Sequence, residues 1–223
     1  MRARGKPLLT LAVLAAAATA FVSCGDEPPA ISFVEWRIEA RPLEAGARYE
    51  SLSVFASIKG GAGESSIDEL WIVNDAEALA WKLTAEDWIK KDDGSDAWIG
   101  GAPFAMNDFS TIPRGQYRAV AINPAGQRAE LTFTVHGDFP SKASPTLRLD
   151  SGGVSVSTSW SETLILAYDG AGELIAQTPA PTSRTSLTAL FGAANADRAV
   201  QLAVYGYEPD RRMGAFSPRI SVK

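Results

Sequence analysis

From Ala30 onward the apolar residues recur at every second position, and that rhythm restricts most of the chain to extended structure. Ser51 to Ile58 shows it cleanly: Leu52, Val54, Ala56 and Ile58 fall on one face, Ser51, Ser53 and Ser57 on the other. A strand with one apolar and one polar face is half buried, which is the habit of antiparallel sheets with a core on one side. Ile31 to Ile38 alternates likewise through Val34, Trp36 and Ile38, and Ile67 to Val73 sets Trp71 among branched residues. The expectation is an all-β protein. Cys24 is the chain's single cysteine, so no disulfide can form within it and stability rests on burial.

Between the first strands, Lys59-Gly60-Gly61-Ala62-Gly63-Glu64 reads as a loop. A phosphate cradle would need a helix to begin there, whereas Ser65 to Val73 is strand-like. Thr84-Ala85-Glu86-Asp87 pairs a capping hydroxyl with early carboxylates and predicts one short helix over Ala85 to Lys91. Asp92-Asp93-Gly94-Ser95-Asp96 then predicts a turn. Three carboxylates around a glycine suggest calcium, which takes several oxygen ligands. The order lacks the Asp-x-Asp-x-Asp-Gly run and closing Glu of an EF-hand loop, so the turn is read as solvated acid.

Ile112-Pro113-Arg114-Gly115-Gln116-Tyr117 leads into a strand ending at Asn123. The turn Asn123-Pro124-Ala125-Gly126 follows, and then a strand alternating through Ala129, Leu131, Phe133 and Val135. This is a long hairpin preceded by a tight turn. Pro-x-Gly-x-Tyr followed by Asn-Pro-Ala-Gly resembles the last two strands of bacterial immunoglobulin-like domains. The likeness implies a β-sandwich over residues 30–136, without the antibody cysteine pair. It makes Tyr117 a tyrosine corner bonded back to nearby backbone and Trp71 the buried tryptophan of the third strand.

Residues 137–145, Gly-Asp-Phe-Pro-Ser-Lys-Ala-Ser-Pro, are rich in proline and small side chains and read as a linker. Beyond it strands are expected at Thr146–Leu149, Val154–Thr158, Thr163–Tyr168, Glu173–Thr178, Ser186–Phe191, Ala199–Tyr207 and Gly214–Val222. The closing Phe216-Ser217-Pro218-Arg219-Ile220-Ser221-Val222 resembles the final strand of fibronectin type III domains, and implies a second sandwich over 146–223. Pro218 cannot donate to a ladder and suits an edge strand.

The first 23 residues differ in kind. Arg2, Arg4 and Lys6 precede a 15-residue, largely apolar run from Leu8 to Val22, and Gly25-Asp26-Glu27-Pro28-Pro29 follows Cys24. Spanning a bilayer takes roughly 20 residues, and the layout is that of a signal peptide. Phe21-Val22-Ser23-Cys24 resembles the lipobox of bacterial lipoproteins. That likeness implies cleavage before Cys24, acyl chains on its sulfur and new amine, and residues 24–29 as a tether. Simple secretion after Ala18-Thr19-Ala20 is the competing reading. Two or more acyl chains anchor a protein stably, which places the rest at the cell envelope. Gly25 stands where aspartate retains enteric lipoproteins at the inner membrane, so the outer membrane or cell surface is expected.

Little in the remainder suggests chemistry. The chain carries a net charge of −5, and losing the three leader cations leaves −8. No basic run is interleaved with aromatics, so no nucleic-acid partner is expected. His136 is the sole histidine, so a Cys/His pair or histidine-rich zinc site cannot be assembled, and neither a metal nor a cofactor is expected. No Gly-x-Ser-x-Gly, Ser-x-x-Lys or His-Glu-x-x-His motif occurs. The expected role is a non-catalytic binding, adhesion or accessory module with a protein partner. One alternative is glycan binding by Trp81, Trp88 and Trp98, which crowd one irregular stretch and could stack on sugar rings or anchor a partner. A hydrolase is the other, and it would need two close carboxylates in opposed environments.

Overall fold

The computed structural model describes residues 28–59, 63–93, 96–151 and 153–222. The leader, Cys24 and most of the tether lie outside the described residues, as do Gly94 and Ser95 of the acidic turn. In the first half the strands are Ala30–Pro42 (β1), Arg48–Lys59 (β2), Glu69–Asn74 (β3), Leu79–Thr84 (β4), Ile89–Asp93 (β5), Asp96–Ala105 (β6), Gly115–Ile122 (β7) and Arg128–Val135 (β8). The second half contributes Thr146–Asp150 (β9), Gly153–Ser157 (β10), Glu162–Tyr168 (β11) and Leu174–Pro179 (β12). A helix, Leu187–Arg198 (α1), follows, and Gln201–Glu208 (β13), Met213–Phe216 (β14) and Ile220–Ser221 (β15) close the chain. The protein is mostly strand, with one α-helix among the described residues.

A nine-stranded sheet runs through both halves in the order β12-β11-β13-β14-β1-β2-β6-β5, with β15 also on β13. In the first half a four-stranded sheet, β4-β3-β7-β8, packs over β1, β2 and β6. The core between them takes Trp36, Ile38, Leu52, Val54, Ile99, Leu70, Ile72 and Tyr117 from alternate positions. Each such side chain gains roughly 1.5–3 kcal/mol on full burial. Tyr117 is fully buried, and its hydroxyl donates to the Pro113 carbonyl at 2.9 Å, the tyrosine corner expected from the sequence. The preceding turn is held by Glu50 on β2, whose Oε2 accepts from Ile112 N at 3.1 Å and Arg114 at 2.9 Å.

In the second half the β9–β10 hairpin and α1 cover β11, β12 and β13, closing a core of Val154, Ile165, Ala167, Phe191, Leu202 and Val204. The halves meet at β14, which pairs antiparallel with β13 and parallel with β1, Met213 lying opposite Ile38. Met213 is 1% exposed and belongs to the first half's core. Register puts both cores on one side of the large sheet, because Ile38, Met213 and Val204 share a face. Residues 137–145 pack at this joint. Phe139 lies against Trp160, Ala40 and Ala215, the Trp160 indole donates to the Ala143 carbonyl at 2.9 Å, and Lys142 pairs with Glu208.

Four local expectations are corrected. Ala85 to Lys91 is not helical, and the first half has no α-helix among the described residues. Thr84 and Asp87 close a single turn, Thr84 Oγ1 donating to Asp87 Oδ2 at 2.7 Å, and Ile89 then pairs with Gly100 of β6. Capping residues start a helix, but only an apolar stripe sustains one, and this segment offers just Trp88 and Ile89. The reverse happens at Ser186–Phe191, where the Ser186 side chain accepts from Ala189 N and starts α1, kinked at Gly192. Trp71 points outward while its neighbours Leu70 and Ile72 are buried, and the indoles buried in that core are Trp36 on β1 and Trp88. Pro218 falls in the break between β14 and β15, and β14 bridges two strands instead of forming an edge.

Candidate binding surface

Period two means that every core residue of the large sheet has sequence neighbours on the opposite face. Among the described residues no strand or helix is layered on that outer face. On β1 the residues that alternate with Val34, Trp36, Ile38 and Ala40 are Glu35, Arg37, Glu39 and Arg41. They pair along the strand: Arg37 donates to Glu35, and Arg41 Nη2 to Glu39 Oε2 at 2.6 Å. Arg41 Nε also donates to Ser51 Oγ on β2 at 3.0 Å.

These two arginines, with Arg219 and Lys91, lie on aromatic rings from other strands of the sheet. Arg37 sits 4.9 Å from the Tyr207 ring centre, Arg41 4.5 Å from Phe216, Arg219 3.7 Å from Tyr168, and Lys91 3.4 Å from Phe55. The rings also meet each other: Tyr205 stacks on Tyr207 at 6.0 Å and tilts against Phe216 at 4.5 Å. The long arms shelter what lies beneath, as amphipathic side chains do. Phe55, Glu39 and Ser53 are less than 9% exposed. Burial pushes the Tyr205 phenol well above its ordinary value and lowers the Lys91 ammonium. The buried Tyr205 hydroxyl has no hydrogen-bond partner. Gly214 makes room for that ring, since a Cβ there would come within 2.4 Å of Tyr205 Oη.

The structure does not bring the three sequence-predicted tryptophans together. Trp88 is buried in the first core, its indole nitrogen unpartnered. Trp81 is half-buried on the core side of the four-stranded sheet, 5.3 Å from the Phe104 ring. Trp98 lies on the outer face of the large sheet, opposite Ser57 and 6.0 Å from Phe33. They therefore sit on different faces. Side chains 92, 93 and 96 of the acidic turn lie outside what is described. Among the described residues no cluster of three or more His, Cys, Asp or Glu could hold a metal. Exposed His136 packs edge-on against Trp36 at 5.3 Å.

Two other surface features stand apart from the sequence-predicted sites. Trp71 lies on the outer face of the four-stranded sheet, donating to Glu69 at 2.7 Å, and Arg118 nearby is clamped by Asp75 and Glu130. A groove of about 770 Å³ runs between Ser157–Thr158, Glu162–Leu164 and Pro179–Thr182. The outer face of the large sheet went unread in the sequence. Glu-x-Arg-x-Glu-x-Arg on β1 was legible, but its tyrosines come from strands some 170 residues away.

No protein-family model and no curated protein matches the chain. Solved structures do: the BSP domain of a biofilm associated protein, at 15% identity and a TM-score of 0.27, covers 85% of this chain and 29% of that one. The dimeric latent PorU of Porphyromonas gingivalis, at 14% identity and a TM-score of 0.32, covers 87% of this chain and 20% of that one. The chain thus spans less than a third of either, and overlaps this loose carry no argument about activity. No helix among the described residues is long and apolar enough to cross a membrane.

Proposed function

We propose that the chain is a lipid-anchored protein of the bacterial cell envelope that acts without catalysis, as a binding module. Its body would be an immunoglobulin-like and a fibronectin-like sandwich sharing one sheet. The observation that carries the reading is the outer face of that sheet. Strands from both halves place cation-covered aromatic rings on one surface, and among the described residues no second layer lies over it. Arginine and tyrosine of this kind dominate contact energies at protein interfaces, and a protein partner at the envelope is the expected occupant. Support for the anchor is the resemblance of Phe21-Val22-Ser23-Cys24 to a lipobox.

Photo-crosslinking in intact cells tests the reading. A benzoylphenylalanine at Tyr207 should give a discrete adduct that Arg37→Glu abolishes, while one at Thr132, on the opposite side of the protein, should give none. Equal adducts from both positions, or an adduct indifferent to Arg37→Glu, would count against the outer face. Mass spectrometry of the purified chain tests the anchor separately: an unmodified Cys24 would remove it.

A further inference from the structure

We infer that the end of the outer face nearest the tether is a membrane-contact patch, where Phe33, Trp98 and Ile89 enter the headgroup region of the bilayer. The inference rests on the anchor at Cys24. Four large apolar side chains are exposed among the described residues, and two of them, Phe33 at 51% and Ile89 at 48%, stand here. A bulge between Ile31 and Phe33 creates the placement. It lets Ile31 pack against the core while Phe33 turns outward, opposite Ser57. Trp98 comes from β6 in the same row and meets Phe33 edge-on at 73°. Ile89 stands one pleat further along, on the edge strand β5.

The length of the tether selects the occupant. Phe33 is three residues from Ala30, about 10 Å along a strand, and the six residues from Cys24 to Ala30 span at most about 20 Å. A body on that leash keeps this end within about 30 Å of the anchored sulfur. An indole favours the membrane–water interface, and phenyl and branched apolar side chains enter beside it from the apolar face of an interfacial element. Charge is not the lever, since Lys59, Lys90 and Lys91 are matched in sequence by Asp92, Asp93 and Asp96.

The chain, purified from membranes, is reconstituted through its own anchor into phosphatidylethanolamine/phosphatidylglycerol vesicles carrying dibrominated acyl chains. If Cys24 proves unmodified, the same chain is coupled through that sole thiol to a maleimide lipid. The patch is then tested whether or not the cell supplies the anchor. Tryptophan emission should be quenched relative to unbrominated vesicles, and Trp98→Phe should lose that quenching. Phe33→Ser, at a half-exposed site, should reduce it while leaving the circular dichroism unchanged. Raising salt should change nothing. Quenching that survives Trp98→Phe, no quenching on tethered vesicles, or dependence on the phosphatidylglycerol fraction would overturn the inference. So would Trp98 crosslinking to an envelope protein without being quenched.

Discussion

Replacing Met213 by alanine tests whether the two halves are one folding unit. Met213 belongs to the second half by sequence, yet it is 1% exposed inside the first half's core, with Ile38 beside it across a parallel pair. Its methyl lies so close to Gly137 that a Cβ there would come within 3.1 Å. Loss of burial alone costs about 2 kcal/mol. The hydrogen-bonded strands β1 and β13 flank the site, so it cannot collapse, and the cavity left behind raises the expected loss to about 3–4 kcal/mol. For a body of this size that lowers the melting temperature by roughly 6–16 °C. Denaturant unfolding followed by tryptophan emission and by far-ultraviolet circular dichroism reads the effect. Wild type should unfold in one transition by both probes, and Met213→Ala should shift both midpoints together. A variant within about 0.5 kcal/mol of wild type, or a shift confined to one of two separate transitions, would refute a shared core.

Three further outcomes follow from named contacts. Tyr117→Phe removes the bond to the Pro113 carbonyl and should cost about 1 kcal/mol with the fold unchanged, measured by the urea midpoint. Gly206→Ala drives a Cβ to 2.4 Å from the Trp160 ring, which the Ala143 carbonyl pins in place. The expected loss is about 1–3 kcal/mol, visible by calorimetry, with a changed near-ultraviolet indole signal. Hydrogen bonds from Lys142 and then Ser161 hold the Glu208 carboxyl at about 2, below its usual 4.5. The lowered value means that its stabilisation is present above pH 4.5 and is lost as pH falls toward 2. Glu208→Gln should therefore destabilise at pH 7 and converge with wild type near pH 2, in urea titrations across that range.

Period-two alternation on its own determined the mostly-strand character, the phase of β1 and β2 and the hairpin of β7 and β8, because a strand's faces are set by its own residues. Local chemistry misled wherever two outcomes share a beginning. Thr84 and Ser186 both carry capping hydroxyls, but only the alanine-rich run after Ser186 packs a helical face, while β6 claims the residues after Thr84. Trp71 and Trp36 are alike as side chains, and the pairing register alone buries one and turns the other outward. Only the tertiary structure decided that residues 137–145 pack at a joint, that Met213 completes a core begun far earlier in the chain, and that Arg37 lies on Tyr207. Each depends on which strand β14 pairs with. Backbone hydrogen bonding is nearly blind to sequence, so that choice is made by the summed burial of distant side chains.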